Sequence, residues 1–414
     1  MKLLIHNIES LLQATKTPPD LLKGKYMQSI FSLKNAWVYS VDDKIVDFGQ
    51  MKDMPSEYLK SDTVYNATGR IVMPAWCDPH THLVFAGSRE KEFIDKINGL
   101  GYEEIAKRGG GILNSAKTLH NTSEDELFEQ STKRVNEIMR LGTGSVEIKS
   151  GYGLNTADEL KMLRVIRRIK QEFPLTVKAT FLGAHAVPDE YKDRKPGYID
   201  KIVNEMIPAV AEENLADFID VFCDIGFFTP EETGTILKAG IHYGLQPRIH
   251  ANELGFSGGV QAGTAHNALS VDHLEYIGDE EINALANSRT MPTLLPGTSF
   301  FLGIGYAPAR KMIDAGLPVA LASDFNPGSS PSGNMSFIFS LACIKLRMLP
   351  EEALNAMTIN SAYAMGAGIS EGSISPGKSA SFIITSPIPG IDSIPYYFGS
   401  DLIENVFIKA RMIR

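Results

Sequence analysis

Cysteine is scarce in this chain: Cys77, Cys223 and Cys343 are the only three in 414 residues, widely spaced and without a Cys-x-x-Cys pair. That excludes a disulfide framework and a zinc ribbon, and it fits a reducing compartment. Long apolar runs are missing too. No uninterrupted stretch reaches the roughly 18 residues of a membrane span, and Met1-Lys2-Leu3-Leu4-Ile5-His6-Asn7 has neither a long apolar core nor a small-residue cleavage site. A cytoplasmic protein with no membrane partner is expected. Positive charge is short as well, with 40 Lys and Arg against 49 Asp and Glu and no basic run to offset a net charge of -9. This argues against a nucleic-acid partner, and an acidic ligand would need a local basic pocket. What remains is ordinary for a globular protein, 43% hydrophobic and 21% charged, in a chain long enough for one large barrel or several smaller domains.

The N-terminal part alternates in short stretches, Leu3 to Ile8, Ala36 to Val41 and Ile45 to Phe48, the last two joined by the turn-prone Asp42-Asp43-Lys44. After Gly69 the pattern becomes apolar runs of strand length separated by amphipathic helices with start signals. Ser123 with Glu126, Thr156 with Glu159, and Thr229 with Pro230 and Glu232 read as three such starts. The strands expected between them are Ile71 to Cys77, Ser145 to Lys149, Val177 to Ala184, Phe218 to Cys223, Arg248 to His250, Leu269 to His273, Met291 to Leu295 and Val319 to Ser323. This is the α/β pattern of a (β/α)8 barrel. Short strands return at Ser381 to Thr385 and Leu402 to Ile408. The expected organisation is a barrel over residues 71-368 and a small β-sandwich domain built from both termini, 1-70 and 369-414.

A barrel carries its chemistry at the C-terminal ends of its strands, and there stand His80, His82, Lys149, His185, His250, Glu253, His273 and Asp324. In a strand, alternate side chains share a face, so His80 and His82 can chelate one ion. His-x-His alone is as readily a packing pair; its weight comes from His250 and Asp324 at the ends of strands five and eight. Three imidazoles and a carboxylate around one divalent ion leave a position for water, whose pKa such an ion lowers towards about 7. Glu253, in His-Ala-Asn-Glu, is placed to relay a proton without ligating, and His273 to stabilise an oxyanion. Strand four ends Val-Phe-Cys-Asp with no lysine, which favours one metal over two. Arg89, Tyr152 and His185 are candidate substrate contacts, with Asn326, Gly328 and Ser329 as donors just past Asp324. Gly109-Gly110-Gly111 and the glycines around Tyr152 read as loops able to close over a ligand.

The motifs Asp78-Pro-His-Thr-His-Leu-Val-Phe-Ala-Gly-Ser-Arg89, Glu147-Ile-Lys-Ser-Gly-Tyr-Gly153, Phe181-Leu-Gly-Ala-His-Ala-Val-Pro188, His250-Ala-Asn-Glu253, Asp272-His-Leu-Glu275, Leu295-Pro-Gly297 and Ser323-Asp-Phe-Asn326 resemble the metal-dependent amidohydrolase superfamily over nearly the whole chain. The resemblance implies zinc or iron on His80, His82, His250 and Asp324, one ion per subunit, and a homodimer. Within the superfamily it implies ring opening of 4-imidazolone-5-propanoate. Arg89, Tyr152, His185 and Glu253 then contact this small molecule, Glu253 and Asp324 manage protons, and His273 steadies the oxyanion. A deaminase of an aromatic base has a similar ligand set and is the alternative; a propionate tail, which needs a cation such as Arg89, separates the two. A noncatalytic scaffold usually lacks ligands, whereas all four stand here. The chain departs from the superfamily pattern at Ala75, usually glycine, and Ser381, usually aspartate, which puts local turn geometry in question.

Overall fold

The computed structural model describes residues 1–99 and 110–414. Eight parallel strands line up in chain order: Trp76–Thr81, Thr143–Lys149, Thr176–Ala184, Phe218–Cys223, Ile249–Ala251, Ser270–His273, Met291–Leu294 and Ala320–Leu321. Helices cover their outer faces and side chains fill the interior, which is why strands such as Phe218–Cys223 are buried at every residue. The ring is closed between the first strand and the segment after the last. Thr81 bridges Phe325 in parallel, the Asp324 N–H donates to the His80 carbonyl at 3.1 Å, and the His82 N–H donates to the Phe325 carbonyl at 3.0 Å. The expected (β/α)8 barrel is therefore the architecture.

Local signals set the helices that frame it. Ser123 caps the helix Glu124–Arg140 by accepting from the Glu126 N–H, and Thr229 and Glu232 form a reciprocal capping box for Pro230–His242. The third expected start moves by one residue: Asn155, not Thr156, caps Thr156–Glu172, accepting from the Asp158 N–H. Glu159 is thereby released for another task. It is fully buried and accepts backbone N–H groups of Gly151, Gly153 and Leu154 at 3.1, 2.8 and 2.9 Å, fixing the loop that carries Tyr152.

The terminal strands form a second, separate sheet and give the expected β-sandwich domain. Lys2–Leu12 lies at its centre, flanked by Ser32–Val41 and Lys44–Gln50 on one side and by Ile71–Pro74, Phe382–Thr385 and Ile403–Ile408 on the other. Leu3, Ile5, Ile8, Val38, Ile45, Phe382 and Phe407 share a core distinct from that of the barrel. The apolar run expected as one strand, Ile71 to Cys77, is two. Ile71–Pro74 pairs with Lys2–Leu12 and Phe382–Thr385 in the terminal sheet, and only from Trp76 does the chain enter the barrel.

Ala75 sits at that handover, buried, its N–H donating to the Ser381 carbonyl at 3.0 Å. The two departures from the superfamily pattern thus meet, and both lie over Gly144. A Cβ at Gly144 would stand 2.6 Å from the Ala75 Cβ and 3.3 Å from that of Ser381. Gly144→Ala is expected to destabilise the protein by about 1–3 kcal/mol, the usual cost of overpacking a full interior, read as a lower thermal midpoint. An unchanged midpoint would show that this junction has slack.

Candidate active site

Because the strands end together, residues far apart in sequence converge at one mouth of the barrel. A cavity of about 910 Å³ opens there, lined among others by His82, Arg89, Tyr152, His185, His250, Glu253, His273, Asp324, Asn326, Gly328 and Ser329. His80 lies just beneath, fully buried, with its ring centroid 5.3 Å from that of His82 and 4.5 Å from that of His250.

Ring nitrogens of His80, His82 and His250 all lie within 4.8 Å of one another. The Nε2 atoms of His82 and His250 are 3.4 Å apart, and Asp324 Oδ1 stands 3.6 Å from His80 Nε2 and 3.8 Å from His82 Nε2. Ligand atoms about 2.1 Å from a tetrahedral ion are about 3.4 Å from each other, so these separations fit one ion. The tautomers agree with this. His80 Nδ1 is 2.6 Å from Asp272 Oδ2 and His250 Nδ1 is 3.0 Å from Asp220 Oδ2. A carboxylate can only accept, so His80 Nδ1 carries the hydrogen and His80 Nε2 presents its lone pair inward, while Asp220 also accepts the His250 backbone N–H at 3.1 Å and so holds that residue in place. His80 Nε2 is buried without a hydrogen-bond partner, which a metal ligand explains and a packing histidine does not. Burial, followed by Lys149 and then the neighbouring imidazoles, holds His80 well below the usual imidazole range; for His82 burial is again the main cause. Neutral imidazole is the ligating form.

Acid–base groups stand beside this cluster. Glu253 is pushed well above the usual carboxylate range, by burial and then by the charges of Glu275 and Asp324. Its Oε2 is 3.8 Å from His273 Nε2, and its backbone N–H donates to Asp224 Oδ2 at 2.7 Å. Burial also pushes Glu275 up to about 8 and Asp324 up to about 6. Thr298 Oγ1 donates to Asp324 Oδ2 at 2.5 Å, which leaves Oδ1 directed at the imidazoles. His273, with φ of +85°, and Asp324, with φ of +53°, hold left-handed backbone that side chains with a Cβ rarely adopt, as functional sites often do.

The remaining candidates shape the wall. His185 Nδ1 donates to the Gly151 carbonyl at 2.9 Å, so its Nε2 is an acceptor, and its ring stacks on His82 with centroids 5.1 Å apart. The Tyr152 ring is 5.9 Å from that of His82 and 5.5 Å from that of His185. Arg89 reaches the cavity already paired: its Nε and Nη2 lie 2.7 and 2.6 Å from Glu92 Oε2. A Cβ on Gly328 would collide with the third nitrogen, Nη1, so glycine leaves room for the guanidinium at that point. Asn326 Oδ1 accepts the N–H groups of Gly328 and Ser329, both at 2.8 Å, so these backbone donors are engaged within their own loop. Gly109 of the expected glycine-rich loop lies outside the described residues.

Asp220, Asp272, Glu92 and Thr298 are site residues that sequence reasoning passed over. The available signal was a charge within an apolar strand, Phe-Ile-Asp-Val and Ser-Val-Asp-His.

The amidohydrolase family profile matches residues 71–413. The imidazolonepropionase of Flavobacterium johnsoniae is 57% identical over 410 residues, 99% of this chain and 99% of that protein. The imidazolonepropionase of Christiangramia forsetii is 54% identical over 413 residues, covering 100% of each. Among solved structures, E. coli guanine deaminase superposes with a TM-score of 0.75 at 14% identity, covering 100% of this chain and 99% of that one. A triazine hydrolase variant superposes with a TM-score of 0.73 at 16% identity, covering 99% and 94%. At such identities the solved structures speak for the fold alone.

Proposed function

The chain belongs to the imidazolonepropionase family of the amidohydrolase superfamily, and from that membership we propose how its residues open the cyclic amide of 4-imidazolone-5-propanoate to N-formimidoyl-L-glutamate, a step of histidine degradation. The protein is a hydrolase acting on a small molecule, with a divalent-metal site. We assign the ion, zinc or iron, to His80, His82, His250 and Asp324, since imidazole suits both metals. Such an ion, when bound, polarises the ring carbonyl and makes water nucleophilic at neutral pH.

The chain's own residues supply the rest. Water adds to the ring carbonyl carbon, and the bond from that carbon to the ring nitrogen breaks. Burial and two neighbouring carboxylates work against the charge of Glu253, so it readily accepts the water's proton and passes it to the departing nitrogen. Asp324 shares the proton within the site. His273 Nε2 faces the same space and stabilises the oxygen that gains charge as the carbon becomes tetrahedral. His185 Nε2, fixed as an acceptor, takes a ring N–H, and Tyr152 closes that side. Arg89 meets the propionate through Nη1, the nitrogen Glu92 does not hold, and the loop of Asn326, Gly328 and Ser329 bounds the same end of the cavity.

The observation that carries this reading is the convergence of three buried imidazoles and Asp324 on a cavity that also holds Arg89. A cation beside the metal centre suits an acidic substrate better than the neutral aromatic base of a deaminase. The direct test follows the loss of imidazolone absorbance on mixing substrate with purified protein. Ammonia release from guanine or cytosine, with no ring opening of the imidazolone, would select the deaminase. Arg89→Ala is expected to raise KM about 10- to 100-fold with kcat little changed, the loss of one charge-assisted contact. An unchanged KM would remove Arg89 from the substrate site. We further propose that the protein works in the cytoplasm as a homodimer; among the described residues no helix is long and apolar enough to cross a membrane.

A further inference from the structure

Lys149 has no place in the chemistry just described, yet it is one of the largest fully buried side chains in the protein, with an exposure of 0%. An ammonium taken out of water is costly unless it is paired, and a lysine kept there calls for an explanation. Its Nζ donates to Asp220 Oδ2 at 2.8 Å and to Glu147 Oε1 at 3.0 Å, and lies 3.7 Å from Asp272 Oδ2. Asp272 accepts from His80 Nδ1, and Asp220 lies 3.0 Å from His250 Nδ1 and accepts the His250 backbone N–H at 3.1 Å. The same ammonium therefore sits between the carboxylates behind two different ligands, one on strand four and the other on strand six. Arg248, also fully buried, completes the set: its Nη2 is 3.1 Å from Asp272 Oδ2 and donates to the Pro79 carbonyl at 2.7 Å.

We propose that Lys149 is a positioning residue for the metal centre, tying Asp220 and Asp272 together so that His250 and His80 present their Nε2 atoms to one ion as a pair. The physical reason is geometric. A ligating imidazole keeps its orientation through the carboxylate behind it, and that carboxylate orients the ring only if it is itself held. Lys149 reaches both acids with one ammonium from the second strand, across the barrel interior, and so fixes their positions relative to each other, with Arg248 as a further partner of Asp272. Glu147 in turn holds Lys149, and is itself fixed by the Thr180 hydroxyl.

The inference rests on the metal reading and is tested by metal retention rather than turnover. Zinc-loaded protein is challenged with a chromophoric chelator, and the zinc affinity of wild type, Lys149→Met, Asp220→Asn and the double variant is compared with folding checked by circular dichroism. Lys149→Met keeps most of the stem and removes the charge; it is expected to weaken zinc binding about 10- to 100-fold, the usual effect of losing an outer partner of a ligand. Because the two substitutions share the Asp220 contact while Lys149 also reaches Asp272, the double variant is expected to bind zinc more weakly than either single variant but well short of the product of the single losses. A merely structural lysine would lower the thermal midpoint and leave the zinc affinity of the folded protein unchanged. Zinc affinity of Lys149→Met within twofold of wild type, or fully multiplicative losses, overturns the proposal. Should Lys149→Met alone not fold, the double variant, which loses one charge of each sign, is compared with Asp220→Asn: weaker binding in the double supports the role and equal binding overturns it. Wild-type protein that holds neither zinc nor iron overturns the metal site itself, and this inference with it.

Discussion

His250→Ala is expected to leave a folded protein that purifies with little metal and turns over imidazolone at least about a thousandfold more slowly, a loss of about 4 kcal/mol of transition-state stabilisation. His250 stands at the centre of the cluster: its Nε2 is 3.4 Å from that of His82, and its ring centroid is 4.5 Å from that of His80. Removing it takes away one proposed donor and leaves Asp220 without the imidazole it faces at 3.0 Å. Elemental analysis of the purified variant beside the absorbance assay separates the two consequences. Full metal occupancy with lost activity would make His250 a general base rather than a ligand. Retention of even a tenth of the activity with no metal would end the metal-dependent account.

Glu253→Gln is the second large effect, and its signature is different. Glutamine keeps the shape, and the backbone N–H of residue 253 keeps its bond to Asp224, but the side chain can no longer take up a proton. The expected outcome is a fall in kcat of about 10²- to 10⁴-fold, with metal content unchanged and KM within a few-fold of wild type. If Glu253 served only to contact the ring, KM would rise instead and kcat would hold. Steady-state kinetics over a range of substrate concentrations distinguishes the two.

How much of this was legible in the sequence depended on the length of chain across which each contact reaches. His80 and His82 declared themselves, because a two-residue spacing at the end of an apolar run fixes which way both point. His250 and Asp324 became candidates only once the barrel was inferred from the alternation of strands and helices. Their supporting acids were harder: Asp272 meets His80 from 192 residues away, and Asp220 meets the residue 30 further on. Nothing local marks a strand aspartate as the partner of a distant imidazole. The run from Ile71 to Cys77 hid its division because both halves are equally apolar; what divides them at Ala75 is a change of sheet. Asn155 was passed over as a cap since Thr156 with Glu159 fits the same rule one residue later, and only the burial of Glu159 against the Tyr152 loop decides between them. The Arg89 and Glu92 pair was local, three residues apart across the start of the helix Glu90–Ile97, and was readable in principle.

The seam that closes the barrel runs through the proposed ligands themselves, with the Asp324 N–H on the His80 carbonyl and the His82 N–H on the Phe325 carbonyl. An ion on those residues would be gripped from both sides of that seam, a rivet that binds the intact cylinder in preference to the opened one. Metal supply would then set how long the polypeptide survives as well as how fast it works, and the rate of proteolysis with and without a chelator measures this.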